Sequence, residues 1–363
     1  MSSLQSNLLE NHTPTGREEA WRFTPLKRLG GLHDGSAPVD QRDSLVLEST
    51  HTGGVQFTRG ALTTAAPSSD LITNRVRNFT SEGATLSIAK DAIIEQPILL
   101  SRSRGGVEAA ELSRLQIRVA EHARATVVLQ NTGDCLLAED IEILVAPGAD
   151  LTFISLQEWG PKTIYTSTHK AIVERDATFK AIHVTVGGDV VRILPEVEFA
   201  GPGASADLQG VYFATEGQFF EHRMHVDHAV PHAKSNVNYK GALAGADTHT
   251  VWIGDVYIRA AAEGTDTYEL NRNLILTDGA RADSVPNLEI ETGEIVGAGH
   301  ASTTGRFDDE QLFYLMSRGI EESDARRLVV RGFFNEVISL IGDDAIQERL
   351  MQRIDSELEK AGK

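Results

Sequence analysis

The chain has 363 residues, 41% hydrophobic and 24% charged, an ordinary globular composition long enough for one large domain with smaller appendages. Its 34 Lys and Arg against 52 Asp and Glu give a net charge of −18, which repels phosphate and argues against nucleic-acid and anionic-membrane partners. No run approaches the roughly 20 apolar residues of a membrane helix, and Met1–Glu10 lacks the basic and apolar regions of a secretory signal. The single cysteine, Cys135, excludes an internal disulfide framework or multi-cysteine metal site; it is expected as a small buried hydrophobe in a cytoplasmic protein.

Three regions follow in chain order: 1–70, 71–300 and 301–363. The first mixes short helical stretches with polar linkers. Within Glu18–Leu29, Pro25 breaks any continuous helix, and Trp21 and Phe23 are expected to anchor the segment to the body.

From about Leu71 to Glu291 short β-branched runs of period two recur, as in Leu115–Val119, Ala125–Leu129, Ile141–Val145, Ala181–Val186 and Val251–Gly254. Two sandwiches, a propeller or a solenoid would all accommodate them. The turns favour a solenoid, because those at Ala146–Leu151, Glu174–Phe179 and Gly201–Ala206 share one form at a spacing of about 27 residues, one coil of a parallel β-helix. A stacked β-helix leaves two ends to cap, and the flanking regions are the expected caps.

Near Phe307 the pattern turns helical. Asp308–Arg318 opens acidic, closes basic and meets Gly319. A second helix is expected over Ser323–Ile341, with Leu328, Phe333, Phe334, Val337, Ile338 and Ile341 on a broad apolar face, and a third over Ala345–Lys360.

Candidate chemistry is sparse. His222, His225, His228 and His232 with Asp227 would form a metal face on a helix, but Pro231 and the β-rich flanks favour a strand, where His225 points away from His222 and His228. Phosphate-binding, dinucleotide-binding and hydrolase-elbow motifs are absent. Glu289 and Glu291 read as a solvated strand face rather than an acid–base pair. His300, in Gly297–Ser302 where strands give way to helices, has small neighbours that would admit a ligand or partner, and its imidazole can ligate iron or move a proton.

An ordered set of motifs then carries a resemblance: Tyr239–Leu243, Asn271–Leu276, Asp278–Asp283, Pro286–Ile290, Gly299–Ser302, Asp309–Leu315, Ser317–Ile320 and Ala325–Leu328, with Glu19–Leu26 near the start. The series resembles the SufB/SufD family of iron–sulfur cluster assembly proteins. The resemblance implies a right-handed parallel β-helix flanked by a mixed N-terminal region and a C-terminal helical domain. It further implies a non-catalytic scaffold that pairs with a SufB-like subunit through the β-helix and docks the ATPase SufC through the C-terminal helices. Candidates for that docking region are Phe313, Tyr314, Arg318, Arg327, Phe333 and Phe334.

The Glu-His-Glu grouping of SufB reads Gly299-His300-Ala301 here, and no cysteine follows Cys135, so the chain looks like SufD. His300 is then the implied residue at the subunit interface and a candidate metal ligand, while the cysteine often found two residues earlier in SufD is Ala298. The resemblance implies a transient iron–sulfur cluster and reduced flavin in the complex, ATP held by SufC, and no cofactor tightly bound by the isolated chain, which can also form a homodimer. The other readings are a SufB-like scaffold that itself carries the nascent cluster and a β-helix enzyme acting on carbohydrate.

Overall fold

The computed structural model describes residues 13–40, 42–49, 53–63, 68–307 and 309–361. Short strands β1 (Val39–Asp40), β2 (Val46–Leu47), β3 (Val55–Ala61) and β4 (Glu82–Ile88) precede two 22-residue strands, β5 (Ile98–Val119) and β6 (Arg124–Val145). Helix α1 (Leu71–Phe79) stands where the sequence reading has the strands begin. Its stability is local as well as tertiary: Asp70 caps it by accepting the Thr73 N–H at 2.9 Å, and Leu71, Ile72 and Val76 are buried.

Eleven strands of nine or ten residues follow. They are β7 (Asp150–Trp159), β8 (Ile164–Val173), β9 (Thr178–Val186), β10 (Val190–Phe199), β11 (Ser205–Ala214) and β12 (Phe219–His228). Then come β13 (Lys234–Leu243), β14 (His249–Ile258), β15 (Asp266–Ile275), β16 (Arg281–Ile290) and β17 (Gly297–Arg306). Each pairs in parallel with the strand two along, so the second half of β6 with β8, β10, β12, β14 and β16 forms one sheet. The odd strands β7 to β17 form the other. The result is a parallel β-solenoid of about 8 turns.

The three turns singled out in the sequence stack as successive coils. Gly148 N–H donates to the Arg175 carbonyl at 2.9 Å, and Asp176 N–H to that of Pro202 at 3.1 Å. Gly148, Asp176 and Gly203 all have positive φ at this corner.

Inward side chains stack in columns, such as Phe153, Ala181, Leu208 and Val237, which are in register and buried between the sheets. Many outward positions are apolar too, because both outer faces are covered. On the even-strand sheet, Trp21, Leu29, Leu32, Leu71, Ile72 and Val76 pack against Leu136, Val190, Phe219, Val251 and Ile253. The Arg192 guanidinium lies 4.2 Å from the centre of the Trp21 ring and pairs with Asp70 at 2.6 Å. Trp21 and Phe23 therefore do anchor the first segment, through two 3₁₀ turns at Glu19–Trp21 and Leu26–Arg28 rather than a helix.

After α2 (Asp309–Ser317), α3 (Glu322–Ile338) and α4 (Asp344–Ala361) lie on the odd-strand sheet. Val330, Phe334, Val337, Ile338, Leu350 and Ile354 pack on Ile154, Ile182, Val184, Val211 and Phe213. The C-terminal helices and the segment around Trp21 thus cover the sides of the solenoid, which corrects the expected end cap for the C-terminal region, while the first region does cap the first end, where Leu45, Leu47, Val55 and Phe57 pack on the inner core. Apolar outer faces have more area to bury than a coil end, so burial draws the helices there. At the first coils β3 adds an antiparallel strand to β4. At the last coil β16 and β17 pair only with β14 and β15 among the described residues.

Candidate functional site

Inward positions become polar toward the C-terminal coils. His169 Nδ1 and His183 Nε2 lie 3.1 Å apart, and His183 Nδ1 lies 2.7 Å from the Tyr239 hydroxyl. One coil on, Asn271 Nδ2 donates to the Tyr212 hydroxyl at 3.0 Å, and that hydroxyl donates to Asn273 Oδ1 at 2.6 Å. Ser284 Oγ donates to Asn271 Oδ1 at 2.8 Å. Burial pushes His169 and His222 down to about 3 and His183 well below its usual value, so these rings are neutral hydrogen-bonding groups. Sequence reasoning passed over His169 and His183 and noted Tyr239 only as part of a motif. Their signal was a polar ring on the inward phase of an otherwise apolar strand.

The histidine-rich stretch is spread over several environments. His222 is buried, stacked on Tyr212 and 3.0 Å from Thr185 Oγ1, and His228 is buried against Ser235. His225 faces outward beside Tyr257, and His232 sits in a turn with φ of 60°. Glu289 accepts from the Tyr257 hydroxyl at 3.1 Å and Glu291 from the Ala260 N–H, so neither faces the other's chemistry. Cys135 is buried, and burial pushes its thiol up to about 12, which leaves it a thiol rather than a reactive thiolate.

His300 lies on β17, exposed at the last coil. It is in register with Glu269, Ser302 with Asn271, and Thr304 with Asn273, while Ser284 on β16 is in register with Trp252. The open end is therefore a polar mouth whose floor is the Asn271–Asn273–Tyr212 network. Of the small neighbours, Gly299 serves a different purpose from the one expected: a Cβ there would lie 3.2 Å from the ring of Tyr268, so the glycine makes room for that ring. Tyr268, Ile290 and Val296 are large side chains left exposed at this end.

The docking candidates on the helices separate by burial. Phe313 is 73% and Tyr314 57% exposed, and Arg318 is exposed with its guanidinium over the Tyr314 ring. Arg327 is half-buried and pairs with Asp324. Phe333 is half-buried under the Lys240 ammonium, which also reaches Glu336. Phe334 is fully buried beside Phe213, so it holds the helices to the solenoid and offers no surface to a partner.

A family model described as "SUF system FeS cluster assembly, SufBD core domain" matches residues 101–333, most of the solenoid with α2 and the larger part of α3. The chain belongs to the SufBD family. It is 48% identical over 360 residues to the iron–sulfur cluster assembly SufBD family protein Rv1462 of Mycobacterium tuberculosis, covering 95% of this chain and 89% of that one. The iron–sulfur cluster assembly protein SufD of Escherichia coli is 26% identical across 97% of this chain and 90% of its own. A second SufBD family protein, ML0593 of Mycobacterium leprae, is 30% identical over 204 residues, 56% of this chain and 23% of that one. This SufBD chain is most like SufD and has a role in iron–sulfur cluster assembly. No helix among the described residues is long and apolar enough to cross a membrane.

Proposed function

We propose that this chain is a non-catalytic SufD-type scaffold that pairs end to end with a SufB-like subunit and docks a SufC-like ATPase on its C-terminal helices. The observation that carries the reading is the open last coil: two ten-residue edge strands, β16 and β17, with His300 among them. Unpaired edge strands are templates for pairing with another chain, and Tyr268, Ile290 and Val296 add apolar area beside them. A partner's edges would continue both sheets across the junction.

In this reading the nascent cluster is cargo built at that junction, with His300 as interface ligand or proton carrier. The thiolates come from the partner, because Cys135 is buried and protonated. ATP is bound by the SufC-like subunit, and reduced flavin supplies electrons to the complex. The exposed Phe313 and Tyr314 with Arg318 form the docking surface for the ATPase.

The test is recovery of partners by the tagged full-length chain from its native cells. Deleting the helices would strip the apolar outer sheet face, so surface substitutions are the better tool. Ile290→Lys with Val296→Lys should lose the SufB-like subunit, and Phe313→Ala with Tyr314→Ala should lose the ATPase. Recovery of neither partner by the wild-type chain from cells that contain them would refute the reading. His300→Ala should impair cluster formation with the complex intact; normal cluster output would remove His300 from the mechanism.

A further inference from the structure

Helix α3 has a hollow on each side. The larger, about 840 Å³, opens between its N-terminal half, the end of α4 and the turns after β13 and β15, over a floor of Leu276, Phe307 and Leu358. The smaller, about 630 Å³, follows the seam between α3 and α4 past Leu328, Gly332 and Met351. Both carry an acidic surplus. Their rims set the carboxylates of Glu322, Asp324, Asp344, Glu348, Asp355 and Glu359 against the guanidinium groups of Arg326, Arg327 and Arg331. Each guanidinium is already engaged: Arg326 pairs with Glu322 at 2.8 Å, Arg327 with Asp324 at 2.6 Å and Arg331 with Asp355 at 2.6 Å. Among the described residues Asp344 and Glu359 have no ion-pair partner, and Glu348 comes no nearer than 3.9 Å to Arg331. Asp355 Oδ1 is buried without a hydrogen bond.

An excess of carboxylates repels phosphate, so these hollows suit neither a nucleotide nor a nucleic acid. They do suit a cationic side chain, whose aliphatic stem covers the apolar floor while its charge meets the rim. The larger hollow also adjoins α2, because Phe307 in its floor stands just before that helix and its exposed Phe313 and Tyr314.

We propose that the hollows flanking α3 receive lysine or arginine side chains of the ATPase subunit, which presents a basic face to this chain. This rests on the reading of the C-terminal helices as the ATPase's docking region, and adds to it the charge of the partner's surface. The aromatic side chains of α2 anchor that complex by burial. The acidic hollows draw the partner in and fix its rotation, because complementary charge acts mainly on association rate and register. Their rims are solvent-facing, so salt screens the attraction over a Debye length of about 8 Å at physiological ionic strength.

The test is surface plasmon resonance between the purified full-length chain and the purified SufC-like subunit, at about 0.05 M and about 0.3 M sodium chloride. The wild-type association rate should fall severalfold at the higher salt. Glu348→Lys with Glu359→Lys should lower that rate at least about tenfold at low salt and remove much of the salt dependence. Glu348→Gln with Glu359→Gln, which removes charge without reversing it, should fall between the two. Both side chains are exposed, so these substitutions leave the fold intact, and circular dichroism checks this. An association rate unchanged in the double lysine variant, or insensitive to salt in the wild type, would overturn the proposal. If Phe313→Ala with Tyr314→Ala abolishes binding while the charge variants bind as the wild type does, the docking region stands without a basic partner face. If the wild-type chain binds no ATPase at either salt, the docking reading itself falls, and the proposal with it.

Discussion

His169, His222 and His228 are held neutral inside the solenoid, pushed down to about 3, 3 and 4 by burial, whereas Glu269 is pushed up to about 8, by burial first and by Asp255 second. The two kinds of group act on stability with opposite sign. Each histidine binds more protons unfolded than folded, so its contribution is complete above about pH 6.5 and is lost as pH falls toward 3. Glu269 binds its proton more tightly when folded, so its contribution is complete below about pH 4.5 and is lost as pH rises through 8. Urea unfolding midpoints should therefore peak near pH 6.5 and fall on both sides. Glu269→Gln should flatten the alkaline limb between about pH 6.5 and 8 and leave the acid limb in place; an unchanged alkaline limb would mean that Glu269 does not carry it.

At the scale of the element, α3 joins two different surfaces. Its inner side, with Val330, Phe334, Val337 and Ile338, is buried on the odd-strand sheet. Lys240 clamps the contact by donating to the Phe333 carbonyl at 2.8 Å and pairing with Glu336, which Arg272 also reaches at 3.0 Å. Phe334→Ala should cost about 3 to 5 kcal/mol through the cavity it leaves, read as a lower denaturant midpoint. Phe313→Ala on the exposed side of α2 should change stability by no more than about 0.5 kcal/mol and act only on partner binding. Equal losses from the two would contradict this division between packing and docking residues.

For the whole molecule, the two ends of the solenoid differ. The first coils carry an additional antiparallel strand, and the last coil offers two open edges. Edges that suit a related subunit also suit a second copy, so the isolated chain should form dimers that dissociate when the SufB-like partner is added. Sedimentation velocity of the chain alone and of the mixture reads this directly. Ile290→Lys with Val296→Lys should give a folded monomer, and a dimer unaffected by those charges would place self-association on another surface.

Much of this architecture was legible from local rules. Period-two runs and a recurrent turn of about 27 residues indicated a parallel solenoid, because each coil must reproduce the one beneath it. The acidic-to-basic helix ending at Gly319 and the apolar face running to Gly342 marked the C-terminal helices, since caps and dipoles are local. His300 stood out by its small neighbours where strands give way to helices, and the resemblance added its place at a subunit interface. Helix α1 was hidden by the β-branched content of Leu71–Phe79, which tertiary burial on the sheet outweighs. The sides covered by the flanking regions, the polar interior through His183 and Tyr239, and the burial of Glu269 depend on which residues share a coil column. By itself the sequence determined the repeat, the C-terminal helices and the family. Which way each side chain faces, and what lies above it one coil later, was decided by strand register, a contact about 30 residues away that no local pattern encodes.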